Sequence, residues 1–466
     1  MESVDNVLYL ADSYKVTHYN QYPPLTTSVY SYFECRGGKF EQVCFFGLQY
    51  VLKRWMVGRV VTHAMIDEAK EFYMQHFGGL DVFNESGWRY IVDHHNGLLP
   101  LRIKAVPEGS VIPYKNVLFT VENTDPCVAW LTNWFETLLV QVWYPTTVCT
   151  NSRYYKLLLA DYLRETADSL DSLPFKLHDF GYRGCSSVES AAIGDAAHLV
   201  NFRGTDTVAG IRLCQKYYAC PMAGYSVPAA EHSTITSWDK DHEADAYRNI
   251  LERYPVGTVS VVSDSYDLYD SVERIWGGEL KQLVHKRADR GCVVIRPDSG
   301  DPIEVTVKVL ELLSKHYPCL VNSKGYKVLP SYLRVIQGDG VSYDTMRAVL
   351  KAMKDRGWSA ENVSFGTGGA LLQRVHRDTL KCAFKCSAVV VDGKMVATRS
   401  VYKEPITDKE KTSKKGRLSL HVVNGIYKTM QGGIGDPKSD LLVTVFENGH
   451  LLKEYSLDDI RMNATV

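Results

Sequence analysis

The chain has 466 residues, 45% hydrophobic and 23% charged, with a formal net charge of −1. That is enough for two or three domains with a large core. It provides no overall basic field for nucleic acid, so any anion site must come from a local cluster of cations.

From the N-terminus, Met1–Lys15 carries acids where a secretory signal needs basic residues. The richest apolar stretch, Val128 to Val142, is interrupted by Asn133, Glu136 and Gln141. That argues against a membrane span and predicts a buried amphipathic helix. Asp125 can cap this helix, and Pro126 suits its first turn. Eleven cysteines run from Cys35 to Cys386 without a CxxC pair. The spacing suits neither a zinc site nor a disulfide framework, and it predicts reduced thiols in a cytoplasmic protein.

From about residue 176 the pattern changes. Short apolar runs end in polar or Gly-rich tips at 179–181, 205–206, 231–232, 263–264, 296–298, 338–340 and 366–369. Segments of helical composition separate them, and the spacing of about 25–40 residues fits a strand plus a returning helix. The expected fold is therefore α/β: an irregular (β/α) barrel with an adjoining α+β domain built from the N- and C-terminal segments. The expected boundaries are 1–168, 169–380 and 381–466. Two hairpins are predicted in the last segment, with turns at Asp392-Gly393 and Asn448-Gly449. Between them, 398–417 reads as a mobile charged loop.

Barrel enzymes place their chemistry at the C-terminal ends of the strands, so the tips supply the candidates. Gly366-Thr-Gly-Gly369 before a helical-looking 370–375 can offer backbone N–H groups to a phosphate, or it can be a plain Gly-rich turn. Asp264, Asp298 and Asp339 sit on successive tips. They suit Mg²⁺ or ribose hydroxyls, or equally a structural network with Arg296. His232 has no triad or metal partner at a recognisable spacing. The basic run 413–417 suits a polyphosphate lid or a solvated turn.

Several longer segments are more specific. They are Ala11–His18, Tyr30–Arg36, Lys176–Gly184, Phe202–Asp206, Gly224–His232, Val262–Tyr266, Ile295–Gly300 and Val335–Gly340. In order and along nearly the whole chain, they resemble the nicotinamide phosphoribosyltransferase family. The resemblance implies a type II phosphoribosyltransferase fold, a homodimer with active sites at the subunit interface, and a place in NAD salvage.

The resemblance also implies site roles. Phe180 and Tyr14 of the second subunit would sandwich the nicotinamide ring. Asp206 would accept from its carboxamide, with Arg296 near the carboxamide oxygen or ribosyl group. Arg183, Asp298, Gly338, Asp339 and Gly369 would line the ribose phosphate pocket. Arg36 of the second subunit, Arg377 and Lys385 would hold pyrophosphate or ATP phosphates. His232 matches the family's phosphorylatable histidine, and with Asp298 and Asp264 it makes up the expected catalytic group. Mg²⁺ and ATP are the expected cofactor and activating co-substrate. Two departures stand out: the segment after Arg36 is short, and Ala383 replaces an expected Ser. The alternatives are a nicotinate-specific sister enzyme, against which Asp206 argues, and a non-catalytic binding protein on the same scaffold.

Overall fold

The computed structural model describes residues 5–392, 397–407, 412–433 and 435–465. The chain forms two compact units: Met1–Thr150 with Lys216–Cys220 and His376–Thr465, and Asn151–Gln215 with Pro221–Val375.

The first unit is built on a seven-stranded antiparallel sheet. Its order is Ala397–Ser400, Cys382–Val391, Thr26–Cys35, Val117–Asn123, Leu101–Ala105, Val443–Glu447 and His450–Leu451. Three strands of the N-terminal segment thus form the middle of the sheet, and strands of the C-terminal segment flank them on both sides. The central strand Thr26–Cys35 is buried from Val29 onward, and Phe33 stacks on Phe119 across the strand pair. The hairpin at 448–449 forms as expected, with Asn448 and Gly449 both at positive φ, the conformation a tight two-residue hairpin turn needs. The other hairpin also pairs, but its turn from Gly393 lies outside the described residues.

Two expectations here are corrected. The stretch 126–142 is not one helix. It is a 3-10 turn, Pro126–Val128, followed by the short helices Leu131–Trp134 and Glu136–Val140. Polar side chains inside the stretch are used elsewhere: Thr132 Oγ1 donates to Val29 O at 3.0 Å, and Asn133 bonds Ser31 and Tyr22. Asp125 does cap the start, accepting from Cys127 N at 2.8 Å. The basic run 413–417 is no free turn either. Lys414 pairs with the buried Glu34 and its N–H donates to Tyr32 Oη. Arg417 pairs with Glu122 at 2.6 Å.

The second unit carries a six-stranded parallel sheet in the order Gly204–Thr205, Leu177–Asp179, Val363–Thr367, Leu333–Gln337, Gly291–Arg296 and Gly257–Val262. Its interior positions, among them Val259, Val261, Val293, Ile295, Leu333, Val335, Val363 and Phe365, are fully buried. Helices cover parallel sheets on their faces, so such strands read as near-continuous apolar runs.

Six of the seven expected tips end strands. The seventh, before His232, does not follow a full strand. Instead, Tyr225 bridges Gly204 at one sheet edge and Ala229 bridges Ser260 at the other. The sheet is therefore curled, with 225–230 hydrogen-bonded to both its edges. The returning helices start with strong caps: Ser187 with Ser190, Asp301 followed by Pro302, and Ser342 with Thr345. In Tyr343–Asp355 the buried residues are Met346, Val349, Leu350 and Met353, the spacing that puts one helix face on the sheet.

Among the described residues no helix is long and apolar enough to cross a membrane. All eleven cysteines are free thiols.

Candidate active site

The strand tips of the second unit open into a cleft of about 810 Å³, lined among others by Phe180, Arg183, Asp206, His232, Arg296, Asp298, Gly338 and Asp339. Eight of the expected residues are thus brought together from four strand tips and the stretch at His232.

Phe180 follows the strand Leu177–Asp179, and its N–H donates to Thr367 O at 2.9 Å. Its ring lies over two glycines. A Cβ at Gly366 would stand 2.0 Å from Phe180 Cε2, and one at Gly338 would stand 3.4 Å from it. Glycine at 366 is therefore what allows the ring to lie flat there. The next residue is fixed as well, since Gly181 N donates to Asp179 Oδ1 at 2.7 Å.

Asp206 sits on the tip after Gly204–Thr205. Its N–H donates to Asp179 O at 3.0 Å, and its carboxylate accepts from Ser226 Oγ. A helix follows at Val208–Tyr217, but the bond to Ser226 aims Asp206 Oδ1 across to the bridging segment. His178 in the adjoining strand is kept neutral, its pKa lowered by burial.

On the other side of the cleft, His232 Nε2 bonds Asp264 Oδ1 at 3.0 Å, and Nδ1 lies 3.9 Å from Asp298 Oδ2. The imidazole is half exposed while the Asp264 side chain is buried. Asp264 is held in turn by Ser299 Oγ. One ring nitrogen is thus oriented by a buried carboxylate and the other faces the cleft. Burial raises the Asp298 pKa, Asp264 and Asp339 push it up further, and Arg296 and His232 pull it down.

The Gly-rich tip is more modest than its sequence suggests. Gly368 lines the cleft, but the helix after it runs only from Gly369 to Leu372. The turn closes where Arg374 N, five residues on, shares Gly369 O with Gln373 N. Gly369 is not among the lining residues, although a side chain there would meet open space.

The expected phosphate-binding residues lie in the first unit and line a second cleft there, of about 780 Å³. Arg36, Lys115, Arg377, Lys381, Lys385 and Lys403 face it, against Glu41, Glu136 and Asp378. Arg36 is tied to Glu34 at 3.2 Å, while its Nη2 is buried without a partner. Burial and the cations Arg36, Lys403 and Arg377 lower the Lys385 pKa, and Glu136 raises it. An anion in this cleft would relieve that repulsion. Tyr14 lies in the 3-10 segment Ser13–Asn20 of the same unit, 58% exposed, and lines neither cleft.

Sequence reasoning passed over Ser226 and Ser299, which hold Asp206 and Asp264, and it read Gly366 as part of a phosphate turn where the structure sets it beneath the Phe180 ring. Ser226 and Ser299 lie inside segments already singled out, so proximity to a functional carboxylate was the available signal.

A family model for the nicotinate phosphoribosyltransferase (NAPRTase) family matches residues 175–450. One for the N-terminal domain of nicotinamide phosphoribosyltransferase matches 6–103. A nicotinamide phosphoribosyltransferase of Xanthomonas campestris is 50% identical, covering 100% of this chain and 99% of its own. The chain belongs to the nicotinamide phosphoribosyltransferase family. A second member, from Acinetobacter baylyi, is 31% identical over 98% of this chain and 96% of its own.

Among solved structures, nicotinate-nucleotide pyrophosphorylase from Pyrococcus furiosus superposes with a TM-score of 0.62 at 14% identity, covering 100% of this chain and 95% of that one. Human nicotinic acid phosphoribosyltransferase gives 0.56 at 15% identity, covering 97% and 92%. At that identity they speak for the fold, which is the curled parallel α/β sheet with an antiparallel companion described above.

Proposed function

We propose that this chain condenses nicotinamide with 5-phosphoribosyl 1-pyrophosphate, giving nicotinamide mononucleotide and pyrophosphate in NAD salvage. The observation that carries this reading is the cleft: an aromatic ring bedded on Gly366 beside the Asp206 carboxylate, facing Arg296 and Asp298.

The ring nitrogen of nicotinamide supplies the electron pair for the new bond to ribosyl C1, and the C1–O bond breaks toward pyrophosphate. That nitrogen carries no proton, so the residues need only position and stabilise. Phe180 stacks on the base, Asp206 accepts from its carboxamide N–H, and Arg296 faces the carboxamide oxygen. Arg183, Gly338 and Asp339 border the ribose phosphate. Arg36, Arg377 and Lys385 hold polyphosphate oxygens.

Among the described residues no group of three or more His, Cys, Asp or Glu is gathered closely enough to cage a metal ion. Mg²⁺ commonly binds through one or two carboxylates plus substrate phosphates, and Asp298 with Asp339 fits an ion that arrives with pyrophosphate. Held there by these two carboxylates, Mg²⁺ would supply positive charge to the leaving group.

The deciding assay uses purified protein, labelled nicotinamide, phosphoribosyl pyrophosphate and Mg²⁺, with and without ATP and with nicotinate in parallel. Formation of labelled mononucleotide from nicotinamide supports the reading. Its absence, or a preference for nicotinate, overturns it.

Two finer parts of the reading have their own tests. His232, oriented through Nε2 by Asp264, is the phosphoacceptor for ATP. A phosphate there adds about −1.5 to −2 charge beside the cleft. His232→Ala is expected to retain part of the basal transfer and to lose the stimulation by ATP; full stimulation in that variant would exclude the role.

The active form is a cytoplasmic homodimer in which Tyr14 and Arg36 of each chain complete the site of the other. Inactive Tyr14→Ala and Asp298→Ala chains, mixed as heterodimers, are expected to regain activity because one composite site is then intact. Correctly formed heterodimers that stay inactive would show that the site is not shared.

A further inference from the structure

Behind the wall of the cleft that carries Phe180 and Asp206 lies a pair of carboxyls that the reaction does not use. Asp179 ends the strand Leu177–Asp179, and Asp195 lies in the helix Val188–His198. Both are fully buried, and each carboxyl acts on the ionisation of the other. Asp179 Oδ2 and Asp195 Oδ2 are both buried without a donor from any other group. Ionised carboxylates only accept hydrogen bonds, so a bond between these two oxygens requires a proton on one of them.

The remaining oxygens each hold one part of the wall. Asp179 Oδ1 accepts from Gly181 N at 2.7 Å, immediately after Phe180. Asp195 Oδ1 accepts from Thr205 Oγ1 at 2.6 Å. Thr205 Oγ1 accepts in turn from Thr207 N at 2.9 Å, so these two bonds straddle Asp206. The space is shaped to the pair: a Cβ at Gly210 would stand 2.1 Å from Asp195 Oδ2.

Resting on the reading of this cleft as the nicotinamide site, we infer that Asp195 is a positioning residue. Through a proton shared with Asp179 it holds the Phe180 and Asp206 turns at the separation a flat, amide-bearing ring requires. Neither carboxyl touches substrate.

The electrostatics agree with the geometry. Burial first, with the charge of Asp206 adding to it, raises both pKa values, Asp179 to about 6. Two carboxyls in contact in a buried site do not both ionise readily, and they titrate as a unit. The charged group facing them from the next turn is Asp206, and the Thr207 hydroxyl lies beside Asp179. His178 in the strand and His198 in the helix are both kept neutral by burial, His198 at about 3.

Four variants test this. Asp195→Asn keeps an acceptor for Thr205 and gives Asp179 a permanent N–H donor. Asp195→Ala removes both. Thr205→Val cuts the link between Asp195 and the Asp206 turn while leaving both carboxyls in place, and Thr205→Ser restores it.

The expected result is a KM for nicotinamide raised about tenfold in Asp195→Ala and Thr205→Val, the worth of one buried hydrogen bond. The KM for phosphoribosyl pyrophosphate should stay within about twofold, and kcat should fall by no more than about threefold. Asp195→Asn and Thr205→Ser should return the nicotinamide KM to within about twofold of the parent.

A second readout is thermal. A carboxyl whose folded pKa is raised contributes stability that is present below its unfolded value of about 3.9 and lost as pH rises through the folded one. Asn does not titrate, so the Tm of Asp195→Asn should gain on the parent between pH 5 and pH 8. A Tm difference that is flat with pH would overturn the shared proton. Unchanged nicotinamide KM in folded Thr205→Val would overturn the positioning role, as would an equal rise for both substrates. If Asp195→Ala does not fold, the Thr205 pair still decides. A parent that transfers no nicotinamide would overturn the functional reading, while the thermal readout would still test the pair.

Discussion

Exchanging Asp206 for Asn is expected to shift the ratio of kcat/KM for nicotinamide over nicotinate by about a hundredfold toward the acid. An ionised Asp accepts from the carboxamide NH₂ but meets a second carboxylate when nicotinate is offered. At about 5 Å and an effective dielectric of about 20, like charges repel by roughly 3 kcal/mol, which corresponds to on the order of a hundredfold. The carboxylate is held for this task by Ser226 Oγ and by its own N–H on Asp179 O. Asn keeps the shape and the Ser226 contact but loses the charge, so most of the change should come from weaker use of nicotinamide and the rest from admission of the acid. Paired steady-state kinetics with both bases decide the matter. A folded Asn variant with the parental ratio would mean that base choice lies elsewhere in the cleft.

The parts of this molecule that were legible in its sequence are those encoded locally. Strands buried on both faces, such as Val259–Val262 and Val335–Gln337, read as apolar runs, and their polar ends mark the cleft. The segment 225–230 was harder to read. It joins both edges of the sheet through isolated pairs at Tyr225 and Ala229, and an isolated pair leaves no period-2 pattern. The 126–142 stretch misled because its apolar residues keep helical spacing while Thr132 and Asn133 are spent on the neighbouring strand.

For the site, the tips supplied Asp206, His232, Arg296, Asp298 and Asp339, but their roles came from resemblance. Position alone made His232 an isolated histidine. Only the structure places the buried Asp264 against one of its nitrogens. Asp195 had no signal at all: a single acid among Ala and Gly in a helix reads as a solvent-facing residue, yet it is fully buried.

Gly366→Ala is expected to lower kcat/KM for nicotinamide by on the order of a hundredfold while the protein remains folded. The added Cβ would fall 2.0 Å from Phe180 Cε2, 2.3 Å from Cδ2 and 2.8 Å from Cζ. The backbone on either side cannot readily yield. Gly366 is paired with His178 in the sheet, and Phe180 N and Gly181 N are bonded to Thr367 O and Asp179 Oδ1. The ring itself must therefore turn, and the free direction is the cleft, where it would take the place of the base. Overpacking of this kind costs about 1–3 kcal/mol of stability, whereas misplacing a positioning group by about 1 Å costs on the order of a hundredfold in rate. A double-mutant cycle isolates the cause. Phe180→Ala should itself be strongly impaired by loss of the stacking face. In that background Gly366→Ala should add less than about a threefold further loss, because nothing is left to clash. Independent, multiplying losses would show that Gly366 acts through the strand rather than as the bed of the Phe180 ring.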